Sequence, residues 1–290
     1  MTQGARGQGL FQGHNHVKSA SGWGMGAAVS SLNNNPDGVF LNPASLARSP
    51  EFFHLNYTRF VLDINTTSLG VGLENKYFHY AINISYLNYG DFEEKDENGL
   101  DFGSFSAHDK EIALVVARRI GRYVSAGLST AFIGSTIQNY SASALTGGLG
   151  LQYFHPEHEF AVGISYRNID YQLSGYTDKK ENMPNLAIVG LSKKLQYLPA
   201  TVSLDIMAYQ KSNIIFNTGI KFQPNAMFRL FLGTGSRKFD LQNRTNLNSL
   251  LSGISFGTGF QIKKMNFDIS YSSLGDAGQI TSFSFYKLLD

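Results

Sequence analysis

Residues 78–86 read FHYAINISY, and large apolar side chains fill every second position from Phe78 to Tyr86. The positions between them hold the smaller or more polar residues His79, Ala81, Asn83 and Ser85. Because successive side chains of a β-strand point to opposite faces, this alternation predicts a strand with one apolar face. The same pattern returns in residues 202–206, 254–262 and 265–272. A soluble β-sandwich would show it too, so alternation alone does not decide the fold.

Strand length favours a membrane barrel. The predicted strands are mostly roughly 9 to 13 residues long. A tilted strand needs about 9 to 11 residues to cross a bilayer, whereas strands of soluble proteins most often have about 5 or 6. We predict fourteen of them, at 51–60, 65–74, 77–89, 106–118, 122–135, 141–154, 159–171, 185–196, 200–210, 213–222, 226–236, 249–262, 265–273 and 279–288.

The predicted connections sort by length. Long ones follow strands three, seven and eleven, at residues 90–105, 172–184 and 237–248, whereas the even-numbered connections are short. Long loops at one end and short periplasmic turns at the other are typical of bacterial outer-membrane barrels. The sequence therefore predicts an all-β fold, a 14-stranded antiparallel transmembrane β-barrel of residues 51–290. Residues 1–50 are predicted to form an N-terminal segment that plugs the lumen.

Composition narrows the function. The chain has 290 residues, a net charge of +2 and no stripe of basic and aromatic residues, so we expect no nucleic-acid partner. Mean hydropathy is −0.15, and no apolar run is long enough for a spanning helix. The absence of cysteine excludes disulfides and thiolate metal sites. Residues 1–10 lack the apolar core of a signal peptide, so we expect that the leader has been trimmed or missed.

The N-terminal segment has its own texture. Residues 14–50 are rich in Ser, Asn and Gly, and three glycines surround Trp23. Asn42 and Pro43 suit the cap and first turn of a short helix. The stretch 24–28, GMGAA, followed by 42–47, NPASLA, resembles the opening of FadL-like and PorV-like outer-membrane barrels. That resemblance implies 14 strands around an N-terminal plug, with Trp23, Asn42 and Pro43 in the plug.

A narrower resemblance covers about residues 19 to 210. Residues 86–107, YLNYGDFEEKDENGLDFGSFSA, are similar to a signature of the PorQ-like proteins of type IX secretion. Weaker matches follow at 140–145, 168–169, 181–184 and 190–195. The resemblance implies a non-enzymatic outer-membrane barrel that anchors a PorZ-like surface component of the attachment complex, alongside PorU and PorV. The implied partners are these proteins and outer-membrane lipids, with no small-molecule substrate and no cofactor.

The connection at 90–105 is the predicted docking loop. Six acidic residues against Lys95 give it a net charge of −5, and aromatic residues stand among them. Exposed aromatics ringed by charge suit a protein interface, although a solvated loop would look the same. The docking candidates are Asp91, Phe92, Glu93, Glu94, Asp96, Phe102 and Phe105.

Other sites are not supported. His14-x-His16 and His155-x-x-His158 have ligand-like spacing but no accompanying third ligand, so we predict no metal site. No Ser and His signature indicates a catalytic site. The glycines at 147–150 and 257–259 lie inside strands, where they relieve crowding or mark bends.

Two alternatives remain open. A FadL-like channel for hydrophobic small molecules would require an apolar pocket in the lumen and a gap in one strand. The predicted lumen-facing residues are mostly small or polar, but strand eight has Leu186 and Ile188 on one face and Val189 and Leu191 on the other. The small and polar lumen residues argue mildly against an apolar conduit, and strand eight is the place where an inward apolar patch could exist. A soluble β-sandwich adhesin would instead purify without detergent.

Overall fold

The barrel predicted from the alternation is present. A computed structural model of the protein describes residues 14, 16–33, 35–95, 100–177, 183–210, 214–236 and 252–289. Within these ranges fourteen antiparallel strands close into one barrel, in which each strand pairs with its neighbours along the chain and β1 pairs with β14. The prediction of a 14-stranded antiparallel barrel is confirmed.

The strand bounds agree closely with the predicted ones. They are β1 Phe52–Arg59, β2 Asn65–Glu74, β3 His79–Lys95, β4 Asp101–Ile120, β5 Val124–Ile137, β6 Tyr140–His155, β7 Phe160–Ser174, β8 Leu186–Lys194, β9 Ala200–Tyr209, β10 Ile214–Phe222, β11 Phe228–Gly235, β12 Ile254–Ile262, β13 Met265–Ser273 and β14 Gln279–Leu288. The helices are short: α1 is Ala20–Gly24, and 3₁₀ turns lie at Pro36–Gly38, Pro43–Arg48 and Gly275–Ala277.

The alternation separates an apolar outer face from a polar inner one. On β4, Ile112, Leu114 and Val116 are exposed on the outside, whereas Asp109 and Glu111 are buried on the inside. An apolar band outside and polar side chains inside are what a barrel in a bilayer requires. Of the helices in the described ranges, none is long and apolar enough to span a membrane.

The even-numbered connections are tight turns, as predicted. Asn75 Oδ1 accepts hydrogen bonds from the backbone N–H groups of Tyr77 and Phe78. Asn225 Oδ1 does the same for Met227 and for Phe228, the first residue of β11. Such side-chain turns close a hairpin without further residues. We call this end of the barrel the turn end and the opposite end the loop end.

The barrel wall is taller on one side. Strands β3 to β7 have 14 to 20 residues, whereas β8 to β14 have 8 to 10. At about 3.3 Å per residue, roughly seven extra residues add on the order of 20 Å of strand. The extra length projects at the loop end, and we call this projecting sheet, which includes 89–95 of β3 and 101–108 of β4, the crest.

The predicted loop at 90–105 is wrong in extent. Most of it is strand, because the ladder continues through Asp91↔Ser106, Phe92↔Phe105 and Glu94↔Gly103. A bulge between Asn88 and Gly90, where Gly90 has φ +91°, lets the hairpin continue past the rim. The acidic composition suggested a loop, but acidic side chains on exposed hairpin positions are compatible with strand pairing.

Candidate functional site

The N-terminal segment lies inside the barrel. Residues 14, 16–33 and 35–49, which we call the lumenal segment, are mostly buried. Helix α1 packs against β12 to β14, and Pro43–Arg48 packs against β4 to β6. Asn42 caps the turn that begins at Pro43, since its Oδ1 accepts a hydrogen bond from Ala44 N at 3.1 Å. The predicted roles of Asn42 and Pro43 in a short helical turn are confirmed.

Trp23 lies in α1 near the loop end. Its ring stacks on His16, with 6.4 Å between ring centroids, and meets Phe60 edge-on at 5.6 Å. The Trp23 backbone carbonyl accepts a hydrogen bond from Ser272 of β13. Trp23 therefore contacts the beginning of the lumenal segment through His16 and the β1–β2 connection through Phe60.

Polar wall residues hold the middle of the lumenal segment. Asp205 of β9 accepts hydrogen bonds from the N–H groups of Val29 and Ser30 at 3.0 and 2.9 Å, and from Ser30 Oγ at 2.8 Å. Gln152 of β6 and Ser192 of β8 both donate to the Ser31 carbonyl, at 2.9 and 3.0 Å. These contacts satisfy backbone groups that no strand pairs, as buried polar groups require.

Wall glycines let the segment approach closely. A Cβ on Gly150 would lie 2.1 Å from Asn42 Oδ1, and one on Gly127 would lie 2.4 Å from the Pro43 carbonyl carbon. The prediction that Gly150 relieves crowding inside a strand is confirmed, and the group that it accommodates is the cap of the lumenal segment.

An apolar cluster lies at the boundary between segment and wall. Leu186 and Ile188 of β8 are 0% and 1% exposed, whereas Val189 and Leu191 on the other face are 40% and 37% exposed. The inward apolar patch considered at strand eight is therefore present. Its members, which we call the lumenal apolar cluster, are Val17, Met25, Val29, Leu32, Leu41, Leu186, Ile188, Met207 and Phe231.

A charged cluster joins the front of the segment to β4. His14 Nε2 lies 3.2 Å from Asp109 Oδ2, and His14 Nδ1 lies 2.7 Å from Glu111 Oε2. Lys18 Nζ donates to Glu111 Oε1 and, at 3.0 Å, to Ser85 Oγ. All four ionisable side chains are buried. We call these four residues the charged cluster.

The surrounding groups shift the pKa values of the two cationic side chains of the charged cluster in opposite directions. Burial opposes the charge of His14, but hydrogen bonds and attraction from Asp109 and Glu111 outweigh it and raise the pKa of His14 above 6.5. Burial lowers the pKa of Lys18 below 10.5, against the attraction of Glu111. Tyr89, Tyr176 and Arg167 are the further ionisable groups around these carboxylates.

Sequence reasoning missed the charged cluster. It considered His14 only as a metal ligand and did not single out Asp109 or Glu111. One signal was present, because Asp109 and Glu111 stand two residues apart and so share the inner face of a strand whose other face is apolar. Two carboxylates on an inner face call for cationic partners, but nothing local identifies His14 and Lys18 as those partners.

A cleft lies beside the charged cluster. It contains about 460 Å³ of empty space, its open mouth included. Its lining combines polar groups of His14, Glu111 and Arg167 with apolar ones of Phe40 and Met183. Met183, in the β7–β8 connection, packs with Tyr176 on inner-face residues of β5 and β6, so these two described residues of the connection lie over the cleft.

The docking candidates lie on the crest. The rings of Phe92 and Phe105 stack across the β3–β4 hairpin at 5.3 Å, and Phe92 is 43% exposed. Asp91 and Glu93 are exposed and Glu94 is half-buried on the same hairpin, and Gln138 in the β5–β6 turn donates a hydrogen bond to Glu94. Asp96 lies outside the described residues, and of Phe102 only the backbone, in β4, is described.

The wall is closed around its circumference. Every pair of neighbouring strands is hydrogen-bonded, and the described pairings are interrupted by register shifts in β3–β4 and β6–β7. One of these shifts leaves Asn168, with φ +62°, as a bulge in β7. The strand gap that the channel alternative called for is not seen among the described pairings.

Comparison with known proteins identifies the fold. No protein-family model matches the chain, and no curated protein matches it. A mutant of the monoaromatic hydrocarbon channel TodX superposes with a TM-score of 0.66 and 14% identity, over 93% of this chain and 99% of that chain. The P. putida toluene transporter TodX gives 0.62 and 13%, over 94% and 99%. The chain thus shares its closed 14-stranded barrel fold with TodX.

Proposed function

We propose that the protein is an outer-membrane channel for hydrophobic small molecules, with residues 51–290 as the barrel and residues 1–50 as its plug. The lumenal apolar cluster carries this proposal. It places apolar side chains on both sides of the boundary between plug and wall, inside a lumen whose wall also carries many buried polar side chains. The TodX-like fold supports a channel of this class, and because no strand gap is seen among the described pairings, the proposed route runs through the lumen between plug and wall.

The apolar boundary would select solutes by their hydration. The lumen of a general porin is polar and filled with water, and it admits hydrophilic solutes. A hydrophobic solute that enters between Ile188 and Val29 replaces the contact between these two side chains with contacts of its own. Because both side chains are apolar, no polar group loses a partner. Polar anchors such as Asp205 hold the rest of the segment in place meanwhile.

Solute uptake tests the channel. The chain would be expressed behind a signal peptide in a strain with low outer-membrane permeability, and initial uptake of toluene and of sucrose would be compared with that of cells carrying an empty vector. We expect faster uptake of toluene alone. Equal gains for both solutes would indicate an unselective pore. No gain from a barrel recovered folded from the outer membrane would contradict the proposal.

A disulfide lock tests the plug. Ser284 Oγ of β14 accepts a hydrogen bond from Ala20 N at 2.6 Å, so the two side chains are neighbours. Ala20→Cys with Ser284→Cys should cross-link the lumenal segment to the wall in a chain that has no other cysteine. Oxidation should slow toluene uptake and reduction should restore it, whereas each single variant should not respond. Equal uptake by the oxidised and reduced double variant would show that the segment does not gate the channel.

A second candidate is docking to the type IX attachment complex, which the PorQ-like resemblance suggests. The crest favours it, because acidic side chains and the stacked rings of Phe92 and Phe105 project past the rim on a paired hairpin. A stiff hairpin presents an interface at a lower cost in conformational entropy than a flexible loop does. The occupant that suits this surface is a surface protein with basic side chains around an apolar pocket.

Co-purification from outer membranes tests docking. Replacing Asp91, Glu93 and Glu94 by Ser should release such a partner and leave the barrel folded. The matched control replaces Asp63 and Asp276, acidic residues in other connections at the loop end, and should retain the partner. Retention by both variants, in a host that has the secretion system, would remove the docking assignment.

A further inference from the structure

We propose that the charged cluster is a releasable latch, in which Arg167 of the wall takes over Glu111 when the front of the lumenal segment leaves. The proposal rests on the movement of the plug that the proposed function requires. The latch makes this movement reversible. Its action depends on which groups pair with each buried carboxylate.

The mobile half of the latch belongs to the segment. His14 bridges Asp109 and Glu111 through its two ring nitrogens, and Lys18 contacts Glu111 from the same side. When residues 14–18 leave, both cations pass into water, which solvates them well. The two carboxylates stay in the wall, and a buried charge that loses its only partner is strongly destabilising.

Asp109 keeps partners in the wall. Tyr89 of β3 donates to Asp109 Oδ2 at 2.9 Å, and Ser135 of β5 donates to Asp109 Oδ1. Tyr176, from the β7–β8 connection, donates in turn to Ser135 Oγ at 2.5 Å. Removal of His14 therefore leaves this carboxylate with two hydrogen bonds.

Glu111 has no such hydrogen bond from the wall in the parts of the chain that the structure describes. Across the cleft that Glu111 lines stands Arg167 of β7, whose Nη1 is buried and has no hydrogen-bond partner. The charge of Glu111 already acts on the Arg167 guanidinium. An unpartnered guanidinium nitrogen is costly in the closed state, and it becomes useful once Lys18 and His14 have gone. Arg167 thus lowers the free energy of the open state relative to the closed one.

Two cysteine reporters distinguish release of the front from general opening. Ser21→Cys lies in α1, three residues after Lys18, and Ser45→Cys lies in the Pro43–Arg48 turn; the native side chains are 3% and 0% exposed. Both substitutions are nearly isosteric, and the native chain contains no cysteine. The rate of maleimide labelling of each full-length reporter, purified in mild detergent without any solute, measures how often that part of the segment opens.

The latch predicts changes of opposite sign. Glu111→Gln removes the contact that holds the closed state and should speed labelling of Ser21→Cys by roughly tenfold or more. Arg167→Gln removes the alternative partner and should slow it by a similar factor, whereas Arg167→Lys keeps the charge and should leave it near the native rate. Labelling of Ser45→Cys should not change in any variant. Circular dichroism checks that each barrel is folded.

Faster or unchanged labelling of Ser21→Cys in a folded Arg167→Gln variant would overturn the latch, since a purely structural arginine would loosen the protein when lost. The same holds if Arg167→Lys behaves like Arg167→Gln. Because no solute is used, a latch that responds as expected in a protein that takes up no toluene would refute the channel and keep the latch.

Discussion

Truncation of Leu186 should release the lumenal segment, whereas the same truncation of Leu191 should not. Both residues lie on β8, but Leu186 is 0% exposed in the lumenal apolar cluster and Leu191 is 37% exposed on the outer face. Release would expose Leu186 to water in the lumen. Leu191 has the same surroundings on either side of that equilibrium.

The magnitude follows from the carbon atoms removed. Leu186→Ala deletes three carbon atoms from a buried site, and at about 0.8 kcal/mol for each the closed state loses roughly 2.4 kcal/mol. The cavity left behind adds to this loss, so a total of about 2.4–2.8 kcal/mol is expected. Since about 1.4 kcal/mol corresponds to a factor of ten, labelling of the Ser21→Cys reporter should become roughly 50- to 100-fold faster. Leu191→Ala should change it less than about twofold.

Maleimide labelling in mild detergent measures both variants against the parent reporter. The reasoning is refuted if Leu186→Ala and Leu191→Ala give the same rate, because the face of β8 would then not decide segment stability. It is also refuted if Leu186→Ala labels no faster than the parent reporter. A change confined to barrel melting would show that the cluster stabilises the wall and not the docked segment.

Three further expectations concern other contacts of the segment. Raising the pH from about 6 to about 9 should speed labelling of Ser21→Cys relative to the unfolded chain. Because the pKa of His14 is raised in the folded protein, its bridge to the two carboxylates stabilises the closed state fully below pH 6.5. This stabilisation is lost as the pH rises through the raised pKa, and His14→Gln should remove the pH dependence that His14 causes. Gly150→Ala, whose Cβ would lie 2.1 Å from Asn42 Oδ1, should destabilise the protein by about 1–3 kcal/mol in thermal unfolding. Gly134→Ala, with its nearest atom 3.7 Å away, should cost less than about 1 kcal/mol, and equal shifts would contradict the packing. Asn42→Ala should destabilise the closed position of the lumenal segment by about 1–2 kcal/mol, and it should speed labelling of Ser45→Cys but not of Ser21→Cys. Faster labelling of Ser21→Cys but not of Ser45→Cys would contradict the assigned cap.

The strands were readable from sequence because their signal is local. Alternation along 78–86 and 265–272 reports which face meets an apolar environment, and this needs no knowledge of the neighbouring strand. Asn42 and Pro43 were readable for the same reason, since a cap acts within three residues. The predicted loop at 90–105 was too long because its true extent depends on pairing between two strands, which the local sequence pattern does not report. The cross-strand pairings of residues 91–95 with 101–106, such as Phe92 with Phe105, show that the hairpin continues past the rim.

The site was readable only in part. Leu186 and Ile188 could be placed on one face of strand eight, but their partners Met25 and Val29 come from a segment far away in sequence. Of the charged cluster, only the placement of Asp109 and Glu111 on one strand face was readable. His14, Lys18, Glu111 and Arg167 come from three distant parts of the chain, and only barrel closure with the segment inside brings them together.

The sequence by itself determined that this chain forms long amphipathic strands in even number, with tight turns at one end, because periodicity and turn chemistry act over a few residues. The tertiary structure decided what lies in the lumen. Because β1 pairs with β14, the barrel closes around the described part of residues 1–50. That part then packs against inward-facing side chains of the wall. Which buried charges meet depends on that enclosure, since each must find a partner wherever the fold has removed water.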